Sequence, residues 1–342
     1  MVSFESDYNN GAVPEILHRL IETNDEKSSG YGFDKYTQSA IAKIRTLCGK
    51  PEADVSFLVG GTQTNTTVID SLLQGCEGVI CTKTGHINVH ESGAVEAFGH
   101  KVLALPSKDS KLYAKQLEDY LKAFYEDETY PHMVQPGMVY ITFPTELGAL
   151  YSRKELSDLY EVCKKYHLYL FVDGARLGYG LMSKENDIDM KFLASHCDVF
   201  YIGGTKVGAL FGEAVVYTNT RAPKYIFTII KRHGALLAKG RIAGLQFDTL
   251  FTDDLYFRIS QHAIDKAMQL KQLFVEHGFK MAYNSPTNQQ FVILPKNVKE
   301  ELMKKVMFEV WSPIDDDNLV CRFVTSWATT DEDIKVLKEA LG

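Results

Sequence analysis

The chain has 342 residues, 45% of them hydrophobic and 24% charged, with a net charge of −7. That length suits one large domain with a smaller companion and a substantial buried core. The acidic balance excludes electrostatic attraction to nucleic acid or to an anionic membrane, and no apolar run approaches the ~20 residues that a spanning helix needs.

Met1 to Asp7 lack the basic and apolar regions of a signal peptide. Six cysteines, at 48, 76, 81, 163, 197 and 321, include no CxxC pair. This is the pattern of reduced residues in a cytoplasmic protein. From residue 55 onward, short apolar runs at Val55–Val59, Val79–Thr82, Val102–Leu105, Met138–Thr142, Leu168–Val172, Val199–Ile202 and Ala214–Tyr217 read as strands. Between them Gln63–Gln74, Ala114–Tyr125, Ser152–Tyr166 and Met190–Ser195 have helical spacing. Runs that are apolar almost throughout belong to strands covered on both faces, so the rhythm predicts an α/β domain with a mostly parallel central sheet. Ala214–Tyr217 follows Lys206 too closely for a crossover helix and is expected to run antiparallel.

After Asp253 the pattern changes to a long helix over Tyr256–His277. Short strands follow at Phe279–Tyr283, Phe291–Leu294 and Leu319–Phe323, with helices around Lys299–Met307 and Asp331–Leu341. We therefore expect a large domain over 21–253 and a smaller α+β domain over 254–342, with residues 1–20 packing on the latter.

Ligands of open parallel sheets sit beyond the carboxyl ends of the strands, and several polar residues fall there. Gly60-Gly61-Thr62 follows the first of these runs and opens a helix, as either an ordinary turn or a phosphate cradle. It lacks both the Walker pattern and the three-glycine dinucleotide pattern. Asp173 directly follows the apolar run Leu168–Val172. It needs a cationic partner, which is either Arg176 or the protonated nitrogen of a ring. Lys206 lies past another apolar run in a Gly-rich turn, with no acidic neighbour before Glu213. Partial burial there disfavours the ammonium form and suits an amine that makes a Schiff base. Phosphate loop, ring-nitrogen acid and amine, in that order, are the parts that pyridoxal phosphate requires. The spacing of His86, His90 and Glu91 suggests a zinc site, but the flanking glycines and the lack of a distal ligand argue against it. His90 and Glu91 are read as structural.

The ordered set Ser6-Asp7, Gly30-Tyr31-Gly32, Gly61-Thr62-Gln63, His86 to Ala94, Asp173 to Arg176, Lys206, Gly240-Arg241 and Arg322 to Thr325 resembles the low-specificity L-threonine aldolases. These share the aspartate-aminotransferase-like fold of pyridoxal-phosphate enzymes with the β-eliminating lyases. The resemblance spans nearly the whole chain. It implies that Lys206 carries the cofactor, Asp173 holds the pyridine nitrogen and His86 stacks on the ring. Gly61 and Thr62 would hold the phosphate, with Arg241 reaching it from a second subunit. Arg176 and Arg322 would grip the substrate carboxylate, and Ser6 and Tyr31 would line the site, Tyr31 from the neighbouring chain. A homodimer or homotetramer follows, with a small amino acid as substrate and cleavage to glycine and an aldehyde as the reaction. At Phe143 to Gly148 this chain departs from the pattern: it carries Glu146 where family members commonly have a histidine near the substrate hydroxyl. Phe33 and Thr205 are milder departures. Glu146 is accordingly the candidate base, and β-elimination or transamination of another amino acid is the alternative reaction. A protein that kept the fold without catalysis is disfavoured by its retention of Lys206, Asp173, Arg176 and Arg322.

Overall fold

The computed structural model describes residues 1–219 and 221–342. In chain order the first half comprises β1 (Val2–Ser3), α1 (Pro14–Glu22), α2 (Lys35–Cys48), β2 (Asp54–Leu58), α3 (Gly61–Leu72), β3 (Glu77–Thr82), α4 (His86–Val89), α5 (Ala94–Ala97), β4 (Val102–Leu105), α6 (Ala114–Glu126) and β5 (Gln135–Thr142). Then come α7 (Arg153–Lys165), β6 (Tyr169–Asp173), α8 (Leu177–Leu181), α9 (Met190–Ser195), β7 (Val199–Gly203) and β8 (Glu213–Tyr217). The remainder is α10 (Ile226–Arg232), α11 (Arg241–Leu250), α12 (Leu255–Glu276), β9 (Lys280–Met281), β10 (Gln289–Pro295), α13 (Lys296–Leu302), β11 (Val306–Met307), β12 (Glu309–Pro313), β13 (Asn318–Val324) and α14 (Asp331–Leu341).

Seven strands form the central sheet in the order β2-β8-β7-β6-β5-β3-β4. Only β8 runs against the rest, antiparallel to both β2 and β7. The antiparallel expectation for Ala214–Tyr217 holds. Side chains alternate between the two faces of a strand, and each face here has its own core. Leu170, Val172, Phe200 and Ile202 point to one core and Phe171, Val199, Tyr201 and Val215 to the other. Residues on both faces are buried, which is why the strands read as unbroken apolar runs.

A second, antiparallel sheet has the order β12-β13-β10-β9 and a core of its own, including Phe274, Val292, Phe308 and Phe323. The long α12 serves both: Tyr256 and Ile264 enter the first core, Leu270 and Phe274 the third. The opening of the chain also divides. β1 pairs with β11 and Phe4 enters the small core, while Ile16 of α1 joins the large one.

Two local expectations are corrected. The helix expected around Lys299–Met307 spans Lys296–Leu302, and Val306–Met307 form a strand. The strand Glu309–Pro313 was not foreseen. It is an edge strand, mostly exposed, without the apolar run that signals a covered strand.

Candidate active site

Six strands of the central sheet point the same way, and the polar residues singled out above gather at their carboxyl ends. Asp173 closes β6. By alternation it shares the face of Phe171 rather than that of Val172, which turns it towards α3. It is 4% exposed. Its Oδ2 accepts from Tyr140 Oη at 2.5 Å and Asn65 Nδ2 at 3.1 Å, and its Oδ1 from the Ala175 N–H at 2.9 Å. Arg176 is not among its partners. That guanidinium turns the other way and binds Asp7, with Nε at 2.7 Å from Oδ2 and Nη2 at 2.9 Å from Oδ1.

Lys206 lies beyond the end of β7, next to β6 and parallel to it. Its loop is folded back on itself: Gly204 and Thr205 both donate to the Gly212 carbonyl, and Tyr179 Oη donates to the Lys206 carbonyl at 2.6 Å. The loop after β6 packs directly on this strand end, where a Cβ on Gly203 would stand 2.2 Å from the Ala175 carbonyl oxygen. Burial pulls the Lys206 amine below its ordinary value and the Arg176 charge adds to the effect, while Asp7, Asp173 and Glu213 oppose it. Glu213, the first residue of β8, accepts from the Gly204 N–H at 3.1 Å, and burial pushes its carboxyl up to about 8.

Glu146 sits in the turn after β5, where Gly148 adopts φ +79° and a Cβ would meet Ser285 Oγ at 2.1 Å. Its Oε1 accepts the His86 N–H at 2.9 Å and its Oε2 the Thr142 hydroxyl at 3.1 Å. Burial pushes this carboxyl up to about 7; the Asp173 charge adds, and the donated N–H groups partly offset it. His86 opens α4 after β3. Its Nδ1 is 2.7 Å from Glu91 Oε1, which also accepts from Asn65 Nδ2 at 2.7 Å. A carboxylate only accepts, so Nδ1 is the donor. A buried chain of polar groups therefore runs from Asp173 through Asn65 and Glu91 to His86.

Two adjoining cavities are lined by these groups. The inner one is bounded by Gly61, Glu146, Asp173, Thr205, Lys206 and Glu213. The outer, about 690 Å³, is bounded by Ser6, His90, Arg176, Gln289, Trp311 and Arg322 among others, and His86, Glu146, Arg176 and Lys206 line both. Gly61 begins α3, whose N-terminus has no side-chain cap, and it lines the inner cavity, so the positive end of the helix lies at that cavity's edge. Thr62 is exposed on the same turn. Arg322 stacks over Trp311 with 5.1 Å to the ring centroid, donates to Gln289 Oε1 at 3.0 Å and is ion-paired to Glu309. Ser6 donates to Asn9 Oδ1 at 2.8 Å at the outer rim.

Tyr31 and Arg241 are not brought to these cavities within one chain. Tyr31, at φ +58°, bonds the Ala238 carbonyl, and Arg241 donates to Thr23 Oγ1 at 3.0 Å. Sequence reasoning missed Asp7, Asn65, Tyr140, Glu213, Gln289 and Trp311 as site residues. It read Glu91 as structural, although Glu91 binds His86 directly. Asn65 had a signal, since it stands one helical turn after Gly61. Gln289 and Trp311 had none.

The chain matches the beta-eliminating lyase family over residues 3–294. It is 29% identical over 340 residues to a low specificity L-threonine aldolase of Pseudomonas aeruginosa, covering 98% of this chain and 95% of that one. A threonine aldolase structure from Leishmania major is 39% identical and superposes with a TM-score of 0.95 over the whole of both chains. An aspartate aminotransferase from Thermus thermophilus, 15% identical over 99% of this chain and 90% of that one, shares the fold with a TM-score of 0.69. These families are pyridoxal-phosphate dependent. The chain thus belongs to the beta-eliminating lyase family, and its similarity to threonine aldolases runs from end to end.

Proposed function

We propose that this protein is a pyridoxal 5'-phosphate-dependent lyase that cleaves β-hydroxy-α-amino acids, L-threonine or L-allo-threonine among them, to glycine and an aldehyde. Its residues suit the cofactor. A buried carboxylate at a strand end, an uncapped helix N-terminus lined by Gly61 and an amine depressed by burial line one inner cavity. Asp173 would hold the pyridine nitrogen, Lys206 the carbonyl carbon, and Gly61, Thr62 and the start of α3 the phosphate, with His86 against the ring. When bound, the cofactor supplies an electron sink for negative charge developing on the substrate Cα.

The chain's own residues do the rest. Arg176, Arg322 and Ser6 orient the α-carboxylate in the outer cavity, and that orientation selects which Cα bond breaks. The substrate carboxylate competes with Glu309 for Arg322. Glu146 accepts the β-hydroxyl proton as the Cα–Cβ bond breaks and the aldehyde leaves. The Glu146 carboxyl, held on the His86 N–H and lining the same cavities as Lys206, is the observation that carries this reading. Neither Tyr31 nor Arg241 lines the inner or the outer cavity of its own chain, which supports a homo-oligomer whose sites take both residues from a second copy.

The test is product identification by NMR after incubating cofactor-loaded protein with L-threonine and, separately, L-allo-threonine. Glycine with acetaldehyde is expected from at least one. Formation of 2-oxobutanoate would move the assignment to elimination.

A further inference from the structure

Asp7 is a buried carboxylate outside the set assigned so far. It is 3% exposed, and both of its oxygens are engaged. Oδ1 accepts from Arg176 Nη2, and Oδ2 accepts from Arg176 Nε and, at 2.9 Å, from Asn288 Nδ2. The segment that carries it is anchored in the small sheet three residues earlier, where Phe4 donates to the Met307 carbonyl and accepts from the Val324 N–H, both at 2.8 Å. Arg176, by contrast, hangs from the strand end of Asp173 in the large sheet. Asp7 therefore fixes a guanidinium of one layer from a backbone held by the other.

The direction of the bond has a chemical consequence. A guanidinium offers a carboxylate two forked edges, the side edge of Nε with Nη2 and the end edge of Nη1 with Nη2. Asp7 takes the side edge of Arg176. The end edge is left for the outer cavity, which Arg176 lines beside Ser6, Asn9 and Lys206. Asp7 also offsets the charge of Arg176, one of three cations (Arg176, Lys206 and Arg322) that line this cavity, as Glu309 does for Arg322.

We propose that Asp7 is a positioning residue for substrate recognition, presenting the end edge of Arg176 to the α-carboxylate of the amino acid. The proposal rests on the reading that the outer cavity takes an amino acid. It stands apart from which bond is then broken.

The experiment is a spectroscopic titration of cofactor-loaded protein with glycine and with methylamine, an amine that has no carboxylate. In Asp7→Asn the dissociation constant for glycine should rise about 10- to 100-fold, the worth of a charge-assisted hydrogen bond, while that for methylamine should change less than about 2-fold. With L-threonine, KM should rise by more than kcat falls. In an Arg176→Ala background, Asp7→Asn should weaken glycine no further, because a residue that acts through another adds nothing once that partner is gone. Arg176→Lys is the second variant. It keeps a cation opposite Asp7 but has no fork, and it should lose glycine affinity to a similar degree. Equal weakening of glycine and methylamine, additive losses in the double variant, or full glycine affinity in Arg176→Lys would each overturn the proposal. Cleavage products play no part in the glycine and methylamine titrations, so a failure of the aldolase assignment would silence the L-threonine kinetics and leave those titrations intact.

Discussion

Lys206 owes its chemistry to neighbours that no local stretch of sequence contains. The apolar run before it and the glycines around it announced a partly buried amine, and the structure half-buries it within reach of the Arg176 charge. Replacing it tests its role: Lys206→Ala should lower threonine cleavage by about 10³-fold or more, as loss of a nucleophile does. It should also abolish the borohydride-stable attachment of the cofactor, read as a mass increment on the peptide containing residue 206. Asp173 was legible for the same reason as Lys206, namely its place at the end of an apolar run, whereas His86 and the grip of Arg176 were legible only through the family resemblance. Their partners were not. Asp173 and Arg176 are three residues apart and looked like a pair, but strand alternation turns Asp173 towards α3 while Arg176 reaches Asp7, 169 positions away in sequence. Glu91 looked structural because its role depends on the fold of α4, which places its Oε1 on His86 Nδ1.

At the scale of elements, the periodicity of the covered strands carried most of the information. Each strand of the central sheet was legible within a few residues, because burial on both faces leaves no room for polar interruptions. Edge elements lack that constraint, so Glu309–Pro313 and Val306–Met307 went unread even though Glu309 and Trp311 line the outer cavity. The junction of the β6 loop with the end of β7 sets the distance between Asp173 and Lys206, and it depends on Gly203. An alanine there would place its Cβ 2.2 Å from a backbone oxygen that no side-chain rotation can move. Gly203→Ala should destabilise the fold by about 1–3 kcal/mol. The readout is a lowered thermal midpoint together with weaker cofactor retention. An unchanged midpoint would mean that the loop has room to shift.

Across the whole molecule, the site lies where the large sheet, the small sheet and the opening segment of the chain meet, and it stores two raised carboxyls. Glu146 is pushed up to about 7 from an ordinary value near 4.5. Because the folded value is the higher one, its contribution to stability is fully present below the unfolded value and is lost as pH rises through about 7. Glu146→Gln should therefore leave the thermal midpoint of cofactor-free protein little changed near pH 4.5 and raise it relative to wild type as pH approaches and passes 7. Asp7 has the opposite sign. Burial alone would raise it, but Arg176 and Lys206 hold its carboxyl below the usual value. Its contribution is present above about pH 4 and is lost on further acidification.

The same elevation of Glu146 that costs stability gives a base poised at neutral pH. The pH profile of kcat/KM for L-threonine, measured for wild type and Glu146→Gln, tests this most directly. Wild type should gain activity as pH rises through about 7, with deprotonation of Glu146. Glu146→Gln should be about 10²- to 10⁴-fold slower, the usual worth of a general base, and should lack that limb. A Glu146→Gln enzyme that kept the limb and the rate would contradict the assignment of the base.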